Sequence, residues 1–87
     1  MLSLEQVVIL SHCHGASKSA IAYAAAKLYK NSFFDEAVAR KMIDHLRTAG
    51  FVRQEEGVFW LTRAGQRALA RSMEDISKVS LLTRIKL

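Results

Sequence analysis

With 87 residues, 51% of them apolar, the chain is long enough for one small domain and too apolar for a disordered tail. Thirteen basic residues against eight acidic ones leave a formal charge of +5, which favours an anionic partner, nucleic acid ahead of a membrane surface. The single cysteine, Cys13, excludes an internal disulfide framework and suits a reducing cytoplasm; no apolar run reaches membrane-span length, and no basic-then-apolar leader pattern is present.

There is no proline, so the four glycines (Gly15, Gly50, Gly57 and Gly65) supply most of the punctuation. Ser3 and Gln6 have capping-box spacing and open a first helix that runs to about His12, with Leu4, Val7, Val8 and Ser11 on one face. Gly15 is expected to close it. A second helix starts at Ser17 or Ser19 and runs to Tyr29, with a strong helix-forming alanine body and an apolar stripe of Ile21, Ala24, Ala25 and Leu28. Lys30, Asn31 and Ser32 read as a loop, followed by Phe33 and Phe34 as apolar anchors. Asp35 is the expected N-cap of a third helix that ends at Ala49, with Gly50 just past it. Ala39, Met42, Ile43 and Leu46 face inward on this helix, and Glu36, Ala37, Arg40, Lys41, Asp44, Arg47 and Thr48 outward.

The apolar period then changes from 3.6 to 2. Residues 51–54 and 58–61 read as two short strands joined by a turn through Glu55, Glu56 and Gly57. Thr62 caps a last helix carrying Ala64, Ala68, Leu69, Met73 and Ile76. Residues 79–87 are apolar and basic, and are read either as a continuation of that helix or as an arm. The expected fold is therefore mainly α with a small β-hairpin, in the order helix, helix, helix, hairpin, helix. One domain covers residues 1–78, with 79–87 as a C-terminal tail.

The run Leu46-Arg47-Thr48-Ala49-Gly50-Phe51-Val52-Arg53, followed by Phe59-Trp60-Leu61-Thr62-Arg63-Ala64-Gly65, resembles bacterial winged helix-turn-helix regulators such as the MarR-like and PadR-like proteins. The similar stretch spans residues 38–69, and His14-Gly15 with Ile21-Ala22 is similar to the start of helix 2 in PadR-like proteins. The connection from Ala22 to Ala39 is longer than in the MarR-like pattern, the PadR-like signature residues of helix 3 are absent, and the wing turn is short. The resemblance implies a winged helix that binds duplex DNA, with the third helix in the major groove.

On that reading Arg40 pairs with a base edge, Lys41 with a phosphate, and Ala37 lies beside them near the helix start. Lys18 and Ser19 would meet phosphate at the start of the second helix, and Arg53 would reach the backbone from the first wing strand. Each has a plainer alternative. Glu36 and Asp44 offer salt bridges to Arg40 and Lys41 on an ordinary solvated face, Ser17 or Ser19 is only an N-cap, and Arg53 pairs with Glu55 or Glu56. Arg63, Arg67 and Arg71 form a basic stripe, read first as a solvated face. His12, Cys13 and His14 are adjacent, so they do not converge on a metal. No catalytic arrangement or phosphate-cradling loop is found, so neither enzyme activity nor a cofactor is expected. Trp60 alternates with Phe59 and Leu61, which puts it on the outer face of the hairpin, either against a partner or across helix 1.

The function expected is a cytoplasmic, sequence-specific DNA-binding transcriptional regulator, a repressor or autoregulator. It would act as a homodimer through the last helix and a tail with Leu81, Leu82, Ile85 and Leu87. The alternatives are a winged-helix adaptor or inhibitor that binds a protein and not DNA, and an RNA-binding winged helix.

Overall fold

A computed structural model describes residues 2–29 and 33–86, with side chains described through Glu74. The elements are α1 (Leu4–Ser11), β1 (His14–Ser17), α2 (Lys18–Leu28), α3 (Glu36–Thr48), β2 (Val52–Glu55), β3 (Val58–Leu61) and α4 (Arg63–Lys86). The mainly helical fold with a small antiparallel hairpin is the one the sequence predicts. It also contains a short strand, β1, that the sequence reading missed.

Local chemistry sets most of the boundaries. In α1, Ser3 Oγ accepts from Gln6 N–H and Gln6 Oε1 accepts from Ser3 N–H, so the expected capping box is complete. Ser17, rather than Ser19, caps α2, accepting from Ala20 N–H at 3.2 Å. Asp35 caps α3 through Val38 N–H at 2.9 Å, and the neighbouring Phe34 is buried with Ala39, as a hydrophobic staple requires. Phe33, the other expected anchor, is 87% exposed.

The end of α3 is a Schellman motif. Phe51 N–H donates to Leu46 O, Gly50 N–H donates to Arg47 O, and Gly50 takes the left-handed φ of +87° that ends the helix. Strand β2 therefore starts at Val52, one residue later than expected. Glu55 belongs to the strand, and the turn shortens to Glu56 and Gly57, at φ of 50° and 81°. Two left-handed residues in a two-residue loop form the turn whose twist matches paired antiparallel strands. Thr62 Oγ1 accepts from Gly65 N–H at 3.0 Å, giving α4 the expected cap, and donates to Gly50 O at 2.6 Å.

The sheet order is β1-β3-β2, with both pairings antiparallel. The expectation that Gly15 closes α1 is corrected. His12 is the C-cap, and Gly15 is the irregular residue of β1, at φ +78° between His14 opposite Trp60 and Ala16 opposite Phe59. A Cβ on Gly15 would lie 2.9 Å from two carbons of the Trp60 ring. The Trp60 ring thus lies over β1 of its own sheet and retains 39% exposure.

The core gathers Ile9, Leu10, Cys13, Ile21, Ala22, Ala25, Phe34, Ala39, Ile43, Leu46, Val52 and Phe59. For α3 the inward face is as expected, with Met42 half-buried beside it. For α1 it is not: Leu4 and Ser11 are exposed, and Val7, Ile9 and Leu10 are buried. Four consecutive apolar residues, Val7 to Leu10, are compatible with any helical phase, so only packing selects one. On α2 the buried set is Ile21, Ala22 and Ala25, while Leu28 is 67% exposed. On α4 the expected Ala64 and Met73 are exposed, Met73 by 50%, and Gly65 and Ser72 are buried in their place. The loop 30–32 and the side chains of Ile76, Val79, Leu81, Leu82, Ile85 and Leu87 lie outside the described residues.

Candidate nucleic-acid interface

Helices α2 and α3 pack through small residues, with Ala22, Ala25 and Ala39 all fully buried. That close approach brings the start of α2 beside the outward face of α3. Lys18 lies in the first turn of α2, and its Nζ donates to Asp44 Oδ1 at 2.6 Å. Ser19, next to it, accepts on Oγ from Arg40 Nη2 at 3.1 Å. Three of the expected contact residues, Lys18, Ser19 and Arg40, therefore form one surface. Ala37 and Lys41 are exposed on the same helix, separated by one turn.

Arg53 stands apart from this group. It is exposed on β2 and its guanidinium pairs with Glu55, which is the plainer of its two sequence readings. Asp44 also departs from expectation, because its cation is Lys18 from α2 rather than Arg40 or Lys41 from its own helix. The hydrogen bond from Lys18 holds the Asp44 carboxyl below its usual range, with the Lys18, Arg47 and His45 charges adding to the effect and partial desolvation opposing it. Asp44 is therefore ionised at neutral pH.

Two further contacts were not anticipated. Arg47 Nη1 donates to Gln54 Oε1 at 3.0 Å, tying the end of α3 to the first wing strand. Arg47 lies two helical turns beyond Arg40 on the same face, so spacing alone could have flagged it; its link to Gln54 could not have been read that way. The Lys18–Asp44 pair joins residues 26 apart, and no periodicity reports such a distance.

The remaining candidates fall elsewhere. Arg63, Arg67 and Arg71 are exposed on α4, where Arg67 and Arg71 line a shallow depression with Ala64 and Ala68. The wing carries Glu55 and Glu56, which with Val58 and Trp60 line a second one. His12 is turned back on α1, its Nδ1 2.8 Å from Val8 O. Cys13 is buried, and that burial pushes its thiol up to about 11. Among the described residues no group of three or more His, Cys, Asp or Glu side chains could hold a metal ion, and no helix is long and apolar enough to cross a membrane.

A helix pair with one exposed polar face, followed by a hairpin and a closing helix, is the arrangement that presents a reading helix to a DNA groove. No curated protein matches the chain. A family model described as winged helix-turn-helix matches residues 6–80, from α1 into the C-terminal half of α4, without distinguishing MarR-like from PadR-like relatives. The chain belongs to the winged helix-turn-helix family.

Proposed function

We propose that this protein is a sequence-specific duplex-DNA-binding regulator, a repressor or autoregulator acting in the cytoplasm, with α3 in the major groove. The observation that carries this reading is the joining of Lys18, Ser19 and Arg40 on one exposed face. The start of α2 offers phosphate contacts there, and α3 offers base contacts beside them. Arg40 is assigned to a guanine edge, Lys41, Lys18 and Ser19 to phosphates, Ala37 to the flank of the reading face, and Arg53 to the backbone beside the wing.

The regulator acts as a homodimer through α4 and the tail 79–87, with residues 1–78 as the DNA-binding unit. Met73 is half exposed and Leu69 only partly covered. In the sequence the apolar spacing continues through Val79, Leu82 and Ile85. A second copy of the same stripe is the simplest cover.

Binding is tested by titrating random duplex DNA, and duplex from upstream of the gene, across a salt series. With on the order of six phosphate contacts per dimer, log K falls against log salt with a slope of about −5. Arg40→Ala costs about 1–3 kcal/mol on the preferred site, whereas Lys41→Ala weakens all duplexes alike. Sedimentation of the full chain and of a version ending at Ser77 tests the dimer, which should be lost on truncation. The acidic wing tip, with Arg53 engaged by Glu55, favours the second reading, a protein-binding adaptor. Absence of duplex binding at about 50 mM salt, where phosphate contacts are strong, would put that reading first.

A further inference from the structure

Asp44 is an acidic residue in the middle of a surface that the proposed function turns towards a polyanion. Arg40, Asp44 and Arg47 follow one another at helical spacing on the exposed side of α3. Four residues of helix advance about 6 Å, close to two base-pair steps of about 3.4 Å, so side chains at 40 and 44 reach different bases about two steps apart. The only side-chain partner of Asp44 among the described residues is Lys18 Nζ, from the helix whose start the proposed function sets against phosphate. Both side chains are substantially exposed, at 33% and 46%, and an ion pair so open to water contributes little to stability. The fold gains little from a carboxylate here, whereas a DNA-binding surface pays for one in repulsion.

We propose that Asp44 is a specificity-determining residue that reads the amino group of a cytosine in the major groove, and that Lys18 masks it until the cognate site is met. The inference rests on the DNA-binding reading above. A carboxylate can only accept hydrogen bonds, and cytosine N4 is the donor it matches on a G·C pair. On a cognate site Lys18 moves from Asp44 to a phosphate oxygen and the Asp44 oxygen accepts from cytosine N4, so both charges stay partnered. At guanine or thymine Asp44 would meet only acceptors or a methyl group, and at adenine the N6 donor lies beside the N7 acceptor, which repels a carboxylate. Lys18 then either remains on the carboxylate and forgoes its phosphate, or leaves a bare anion in the groove. The pair therefore lowers non-specific binding more than it lowers cognate binding.

The test compares the full-length parent with Asp44→Asn and Lys18→Gln. The preferred sequence of each is selected from a random duplex pool, and affinity for the unselected pool is followed across a salt series. Asparagine is uncharged, and it pairs with adenine N6 and N7 rather than cytosine N4. Asp44→Asn should bind the random pool about tenfold more tightly near 0.1 M salt, with a slope steeper by about one unit per protomer as Lys18 is released to phosphate. Its preference at one position of the half-site should change from cytosine to adenine. Lys18→Gln should keep the cytosine and bind all sequences more weakly. An Asp44→Asn protein that is folded at the assay temperature but keeps both its base preference and its salt slope overturns the proposal. So does a Lys18→Gln protein that loses the cytosine. A parent that binds no duplex overturns the underlying DNA-binding reading instead, which separates that failure from a failure of Asp44 alone.

Discussion

Gly65 lies in the first turn of α4, where helix propensity by itself favours alanine by about 0.8–1 kcal/mol. The tertiary structure reverses that sign. A Cβ on Gly65 would stand 1.9 Å from the Phe51 carbonyl oxygen and 2.9 Å from its carbon. The obstacle is backbone, so no side chain can swing aside, and α4 must retreat by roughly 1.5 Å to restore ordinary contact, at the overpacking cost of about 1–3 kcal/mol. That retreat strains the bond from Thr62 N–H to the same Phe51 oxygen, 3.1 Å long, which contributes about 1 kcal/mol. After the gain in propensity, Gly65→Ala is expected to destabilise by about 1–3 kcal/mol, or roughly 5–20 °C in melting temperature for a domain of this size. The assay is thermal unfolding followed by circular dichroism at one fixed protein concentration, since a dimer's midpoint depends on concentration. Ala64→Gly, at the exposed neighbouring position, reports the propensity effect alone and should cost up to about 1 kcal/mol. A Gly65→Ala protein that melts at or above the parent would refute the close approach of α4 to Phe51.

Thr62→Val removes both the cap on α4 and the bond to Gly50 O, and should lower stability by about 1–2 kcal/mol in urea titration; an unchanged midpoint would contradict the double role of that hydroxyl. Cys13 is fully buried and its thiol is pushed up to about 11, so at pH 8 the native protein should resist a thiol reagent that modifies the urea-unfolded chain rapidly; equal rates would place the thiol at the surface. Because the folded-state pKa of Asp44 is lowered, the Lys18–Asp44 pair contributes its stability above the unfolded carboxylate pKa and loses it as pH falls through the folded value. The stability difference between the parent and Asp44→Asn, small because the pair is exposed, should therefore be level near neutrality and shrink below about pH 4. A difference that widens on acidification would contradict the direction of the shift.

Several elements were determined by the sequence itself, because their chemistry is local. The Ser3–Gln6 box, the Asp35 cap, the stop at Gly50, the two-strand wing and the Thr62 cap all depend on residues close in the chain, no more than nine positions apart even at the open end of the wing, which is within reach of a helix turn or a hairpin. Tertiary structure decided what lies beyond that reach. His14–Ser17 has no strand pattern of its own and becomes β1 only because β3 offers an unpaired edge, while Trp60 fills the space that Gly15 leaves open. Ala22, Ala25 and Ala39 are small enough to let α2 meet α3, and that approach joins Ser19 to Arg40 and Lys18 to Asp44 across more than 20 residues of chain. The outward positions of α3 were legible from its period, but their partners were not, because a periodic pattern records which face a residue occupies and not which other element is packed against that face.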